Sequence, residues 1–124
     1  MRKQYHLRPS AKGLRAWDVD RLVEMTKHLT PELVPLAAIR EVDEPYWGEM
    51  TCRKVDGHAR LIDECDPSFP IILSSDGRVM DGMHRVLKAL RRGETHINAV
   101  RFKVDPEPDH VGVSPEDLPY QEQA

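Results

Sequence analysis

Apolar and polar residues alternate along this chain in two periods, and the switch between them falls near the middle. Pro70-Ile71-Ile72-Leu73 and Arg78-Val79-Met80 flank Ser75-Asp76-Gly77. An Asp-Gly pair between apolar runs predicts a β-hairpin, because both turn residues tolerate positive φ. Directly after it, Met83, Val86, Leu87 and Leu90 recur at i, i+3, i+4 and i+7, with Gly93 beyond them. That spacing predicts a helix with one apolar stripe and a glycine C-terminal cap. Asp81 is its expected N-cap.

The remaining elements follow from the same periods. Val19, Leu22, Val23 and Leu29 share a face of a first helix that begins around Asp18 and stops at Thr30-Pro31. Leu33 to Val42 reads as a strand with Pro35 near its start. Thr51 caps a helix from Cys52 to about Glu64, with Val55, Ala59, Ile62 and Cys65 as its buried stripe and His58 beside it. From His96 to Val104 the alternation is that of a strand whose apolar face is Val100, Phe102 and Val104. A short strand at Gln4 to Leu7 is also open. The order helix, strand, helix, hairpin, helix, strand describes a compact α+β domain, a small mixed sheet flanked by three helices.

Composition sets the limits. A chain of 124 residues, 40% hydrophobic and 31% charged, fits one soluble domain. No apolar run approaches the roughly 18 residues that cross a bilayer, and no apolar core follows the basic N-terminus, so no membrane partner and a cytoplasmic location are expected. Cys52 and Cys65 show no zinc spacing, and reduced thiols are the plain reading. The net charge of −3 is uneven: residues 105–124 hold six acids and no Lys or Arg, leaving 18 basic against 15 acidic residues before them. Residues 1–16 therefore read as a basic arm, 17–104 as the domain, and 105–124 as an acidic, proline-rich arm that either wraps the domain or is disordered.

Candidate chemistry centres on Asp81-Gly82-Met83-His84-Arg85. His84 and Arg85 stand at the end of a helix where its dipole favours anions, and a bound phosphate would resolve that conflict. The alternative is that Arg85 pairs with Asp81 and His84 is a half-exposed polar residue. The loop Asp43-Glu44-Pro45-Tyr46-Trp47-Gly48-Glu49 holds three carboxylates and two large aromatics, which can stack a base or simply cap the core. His58 is either a core residue or a third lining group of such a pocket. Lys88, Arg91 and Arg92 make a basic helix face to which nucleic acid is a conceivable partner.

The segments VPLAAIREV and PIIL…DGRVMDGMHRVLKALRRG, with the final strand, resemble the ParB/sulfiredoxin-like superfamily over about residues 33–104. The DG-x-HR box at 81–85 is the specific part. The resemblance implies a nucleotide site: ATP in sulfiredoxins and free serine kinases, CTP in partition proteins, each with Mg2+. Carried over, Gly82, Met83, His84 and Arg85 would meet phosphate, with Asp81 as the carboxylate beside them and Glu44 its counterpart by position. Phosphoryl transfer to a small hydroxyl substrate is one implied activity; a non-catalytic nucleotide-gated or nucleic-acid-associated module, or an interaction domain with a vestigial site, are the others. Met83 stands where sulfiredoxins carry cysteine, so sulfinic-acid reduction is not expected. The helix-turn-helix reader of partition proteins has no counterpart in this sequence.

Overall fold

A computed structural model describes residues 3–121. Among these residues, seven strands and three α-helices form an α+β fold with two sheets. The larger sheet has the order β3 (Glu32–Pro35), β6 (His96–Arg101), β4 (Ile71–Leu73), β5 (Val79–Asp81). It is mixed: β4 runs parallel to β6, with Ile71 beside Ala99, and the other pairs are antiparallel.

The expected hairpin is β4–β5, closed by a Ser74 N–H to Arg78 carbonyl bond of 2.8 Å and by Gly77 at φ 83°. Strand β4 is buried on both faces, which explains its unbroken apolar run at Ile71-Ile72-Leu73. Ile71, Leu73, Val79, Ile97 and Ala99 face one core with Met83, Val86 and Ala89 of α3 (Met83–Arg91). Ile72, Met80, Val100 and Phe102 face the other core with Leu22 of α1 (Val19–Thr26) and Trp17. The alternation in β6 thus separates two buried faces. Val104, expected on the apolar face, lies past the strand end and is 82% exposed.

Three expected elements are corrected. The strand proposed for Leu33 to Val42 ends at Pro35, and two 3-10 turns, Leu36–Ala38 and Arg40–Asp43, replace its second half. Leu36, Ile39 and Glu41 are buried from these turns, so a helical spacing serves the core where a strand was expected. The first helix ends at Thr26, and Val23 is exposed while Thr26 is buried, its hydroxyl donating to the Leu22 carbonyl at 2.8 Å. In α2 (Cys52–Glu64) only Ile62 is buried, and Val55 is 53% exposed. That helix is held by polar contacts: the Lys88 ammonium donates to the Asp63 and Cys65 carbonyls at 2.8 and 2.9 Å, and Arg91 pairs with Asp63.

The two expected arms meet in the second sheet. Strands β1 (Tyr5–Arg8), β2 (Arg15–Asp18) and β7 (His110–Val111) pair antiparallel with β2 in the centre. The acidic segment, read as lacking regular structure, supplies both β7 and a 3-10 turn at Pro115–Asp117. It is strapped down by Trp17 Nε1 donating to the Pro106 carbonyl (2.8 Å), the Tyr5 hydroxyl to the Pro119 carbonyl (2.7 Å), and an Arg21–Asp109 ion pair (2.8 Å). A Cβ on Gly13 would lie 2.8 Å from the Gly112 Cα, so the β1–β2 loop and the strap touch backbone to backbone. The outermost residues of both arms, 1–2 and 122–124, lie outside the described residues.

Candidate functional site

The box at residues 81–85 is a strand, a left-handed turn and a helix start. Asp81 is the last residue of β5, so it is not the helix cap expected from sequence; Gly82 holds that position at φ 106°, ψ 20°, with no side-chain cap. A Cβ there would come within 2.7 Å of the Ile71 side chain and 2.8 Å of the Arg85 guanidinium. Glycine is required both by the dihedral and by the space. The first hydrogen bond of α3 runs from the Val86 amide to the Gly82 carbonyl at 3.1 Å, which leaves the amides of Met83, His84 and Arg85 ahead of the ladder.

The side chains of the box divide. Arg85 folds back over Gly82 and pairs with Asp81 at 2.9 Å, the arrangement that competed with anion binding in the sequence. Its Nε is buried without a partner. The Met83 side chain packs in the core, and the residue also lines the cleft. Asp81, Gly82, Met83 and His84 all line an open cleft of about 820 Å³.

That cleft runs between the box and β1. Its walls also include Glu41, Glu44, Tyr46, Trp47 and Arg78, with His6 and Arg8 opposite. A second, smaller cavity of about 210 Å³ adjoins it, sharing Tyr46, Trp47 and Met83 and adding Val42, Met50 and Leu87. Of the carboxylates facing the cleft, Asp81 is matched by Arg85 and Glu44 by Arg78 at 3.3 Å. Glu41 is only 5% exposed; it accepts the Val79 amide and lies 4.0 Å from Arg78. Two guanidiniums thus serve three acids, Arg78 being shared by Glu44 and Glu41, and Glu41 Oε1 is buried without a hydrogen-bond partner. Glu44 and Asp81 share the cleft as expected, although both are engaged.

The aromatic loop caps the core, one of its two expected purposes, with Tyr46 and Trp47 packed against it. Tyr46 donates to the Val79 carbonyl at 3.3 Å, and burial, then the Glu41 and Asp81 charges, push its hydroxyl up to about 12. Trp47 stacks on His58 with centroids 3.9 Å apart and on His84 at 4.9 Å. His58 Nδ1 and His84 Nε2 are 2.9 Å apart and share one proton. Burial, then His58 and Arg85, lower the His84 pKa, which favours the neutral ring. His58 does not line the cleft; it is the support behind His84 and Trp47, and its spacing from Val55 carried no sign of that partnership.

Sequence reading missed His6, Arg8, Glu41 and Arg78 as site residues. The i, i+2 spacing of His6 and Arg8, and of Arg15 and Trp17 across a short turn, is the signal that would have placed four side chains on one hairpin face. The basic helix face drawn from sequence is reduced, since Lys88 and Arg91 bind α2. The acidic strap lies on β2 and α1 rather than over α3.

No family model, curated protein or solved structure matches the chain. Among the described residues, no group of three or more His, Cys, Asp or Glu is placed to hold a metal ion, and no helix is long and apolar enough to cross a membrane. Cys52 and Cys65 are free thiols.

Proposed function

We propose that this chain is a nucleotide-binding domain of the ParB/sulfiredoxin-like type, with the phosphates in the larger cleft and the base in the smaller cavity against Tyr46 and Trp47. One observation carries the reading. Gly82, Met83 and His84, where the first α3 amides lie ahead of the helix ladder, line the cleft, and two of its three acids, Asp81 and Glu44, are ion-paired. Amides at a helix start favour an anion. The volume falls in the range of small-molecule sites, about 300–1,000 Å³, and the apolar character of Tyr46, Trp47, Met50 and Leu87 suits a base.

Phosphoryl transfer to a hydroxyl substrate is the activity that fits such a site. Helix amides and His84 would stabilise the phosphoryl oxygens, and Asp81 or Glu44 would take the hydroxyl proton as the oxygen attacks phosphorus and the nucleoside diphosphate leaves. A magnesium ion would arrive with the nucleotide, since the described residues offer no cluster of three or more metal-ligating side chains.

Thermal unfolding with ATP or CTP and magnesium tests binding. Ligand at about 100 times Kd adds roughly 2.7 kcal/mol and raises Tm by several degrees. The shift should vanish in Gly82→Val, where a branched side chain fills the turn. No shift with any nucleoside triphosphate at millimolar concentration sinks the proposal. Diphosphate release abolished by Asp81→Asn would add catalysis to binding.

A further inference from the structure

The wall of the cleft opposite the box carries an unexplained charge arrangement. Arg8 and Arg15 are direct cross-strand partners in β1 and β2, and His6 stands opposite Trp17 one step along the same face. The two guanidiniums bracket the Trp17 ring, at 5.9 and 5.3 Å from its centroid, and the His6 ring lies 5.6 Å away. Like charges directly opposite each other on a sheet destabilise it. The Trp17 ring attracts both, but no carboxylate does: among the described residues no ion pair involves Arg8 or Arg15. Arg8 lies close enough to bias the Asp76 carboxyl downward, behind the larger effect of the Ser74 hydrogen bond, yet no ion pair joins them.

The polar atoms of this face are also unsatisfied. Arg8 Nη2, Arg15 Nε and His6 Nε2 are each buried with no hydrogen-bond partner. A buried donor without a partner is costly, and three from one hairpin face are not accounted for by packing. Arg8 and His6 also line the large cleft, so the cluster opens to it. From this we infer that the His6–Arg8–Arg15 face of the β1–β2 hairpin is a phosphate-binding site in its own right, separate from the amide cradle at Gly82 on the other wall. Two guanidinium forks supply directed donors for the oxygens of one phosphate, and neutral His6 adds an Nε2–H. The inference does not rest on nucleotide binding at the box.

Inorganic phosphate and pyrophosphate, titrated against the full chain at ionic strength held constant with chloride, test it by calorimetry and by Tm. The expected result is saturable binding that chloride does not reproduce, with affinity falling at least tenfold in Arg8→Gln and in Arg15→Gln. Both variants should raise the Tm of the unliganded protein, because each removes one of two opposed charges. Arg8→Lys, which keeps the charge and loses the fork, should fall between. Variants that lower the unliganded Tm and leave phosphate affinity unchanged would make the cluster structural and overturn the inference, as would a wild-type response no larger than that to chloride. Competition assigns the source: ATP that displaces phosphate identifies the group as the nucleotide's own, whereas ATP and phosphate bound together identify a separate phosphorylated ligand. A nucleotide shift that survives Arg8→Gln while phosphate binding is lost separates the two walls.

Discussion

His6 makes the stability of the fold depend on mild acid. It is buried between Trp17 and two arginines, and burial first, then Arg8 and Arg15, lower its pKa to about 4, against 6.5 in the unfolded chain. As pH falls below about 6.5 the unfolded chain takes up a proton that the native state refuses. Stability present above pH 6.5 is therefore lost progressively down to about pH 4. Between pH 7 and pH 5 the loss from His6 alone is roughly 2 kcal/mol, or a fall in Tm of about 8 °C at this chain length. His84, also shifted down, adds in the same direction. Calorimetry in phosphate-free buffers at the two pH values measures the fall. His6→Gln removes the titrating group, and the variant should keep most of its Tm between pH 7 and pH 5. An equal fall in wild type and variant would refute the assignment of that stability to His6.

Other outcomes follow from the same contacts. Gly82→Ala should cost about 1–3 kcal/mol in chemical denaturation, because the left-handed backbone and the contacts to Ile71 and Arg85 both oppose a Cβ. Met83→Ala should cost about 2–5 kcal/mol, as for other large apolar residues in a packed core, whereas a solvent-facing methionine would cost almost nothing. In a spectrophotometric titration Tyr46 should remain protonated past pH 11, and its early ionisation would contradict its burial. Lys88→Ala should speed amide exchange selectively in α2, which has one buried residue and depends on the two carbonyl contacts from Lys88.

The parts of this fold that the sequence revealed are those with local signals. The β4–β5 hairpin, the start and apolar stripe of α3, and strand β6 each follow from turn chemistry or periodicity within about ten residues. The box was legible as a glycine turn before a helix, but the direction taken by Arg85 was not. The choice between an anion and Asp81 depends on the carboxylate standing at the end of β5 instead of capping the helix. The failures have one cause, partners distant in sequence. Pro35 to Asp43 is apolar enough for a strand, yet it has no edge to pair with beyond Pro35 and coils onto the core instead. The β1–β2–β7 sheet is built from strands of two to four residues whose pattern is mostly polar, and only their assembly puts His6, Arg8, Arg15 and Trp17 on one face.

The strap that holds that sheet has a kinetic meaning. Its bonds join residues 89, 91 and 114 positions apart, as in Trp17 to Pro106, Asp18 to Asp109, and Tyr5 to Pro119. Closing such loops is among the slowest steps available to a small domain. During synthesis β1 and β2 emerge first and must wait for nearly the whole chain before β7 can cover their edge. One wall of the cleft is thus completed after the hairpin and helix that form the other.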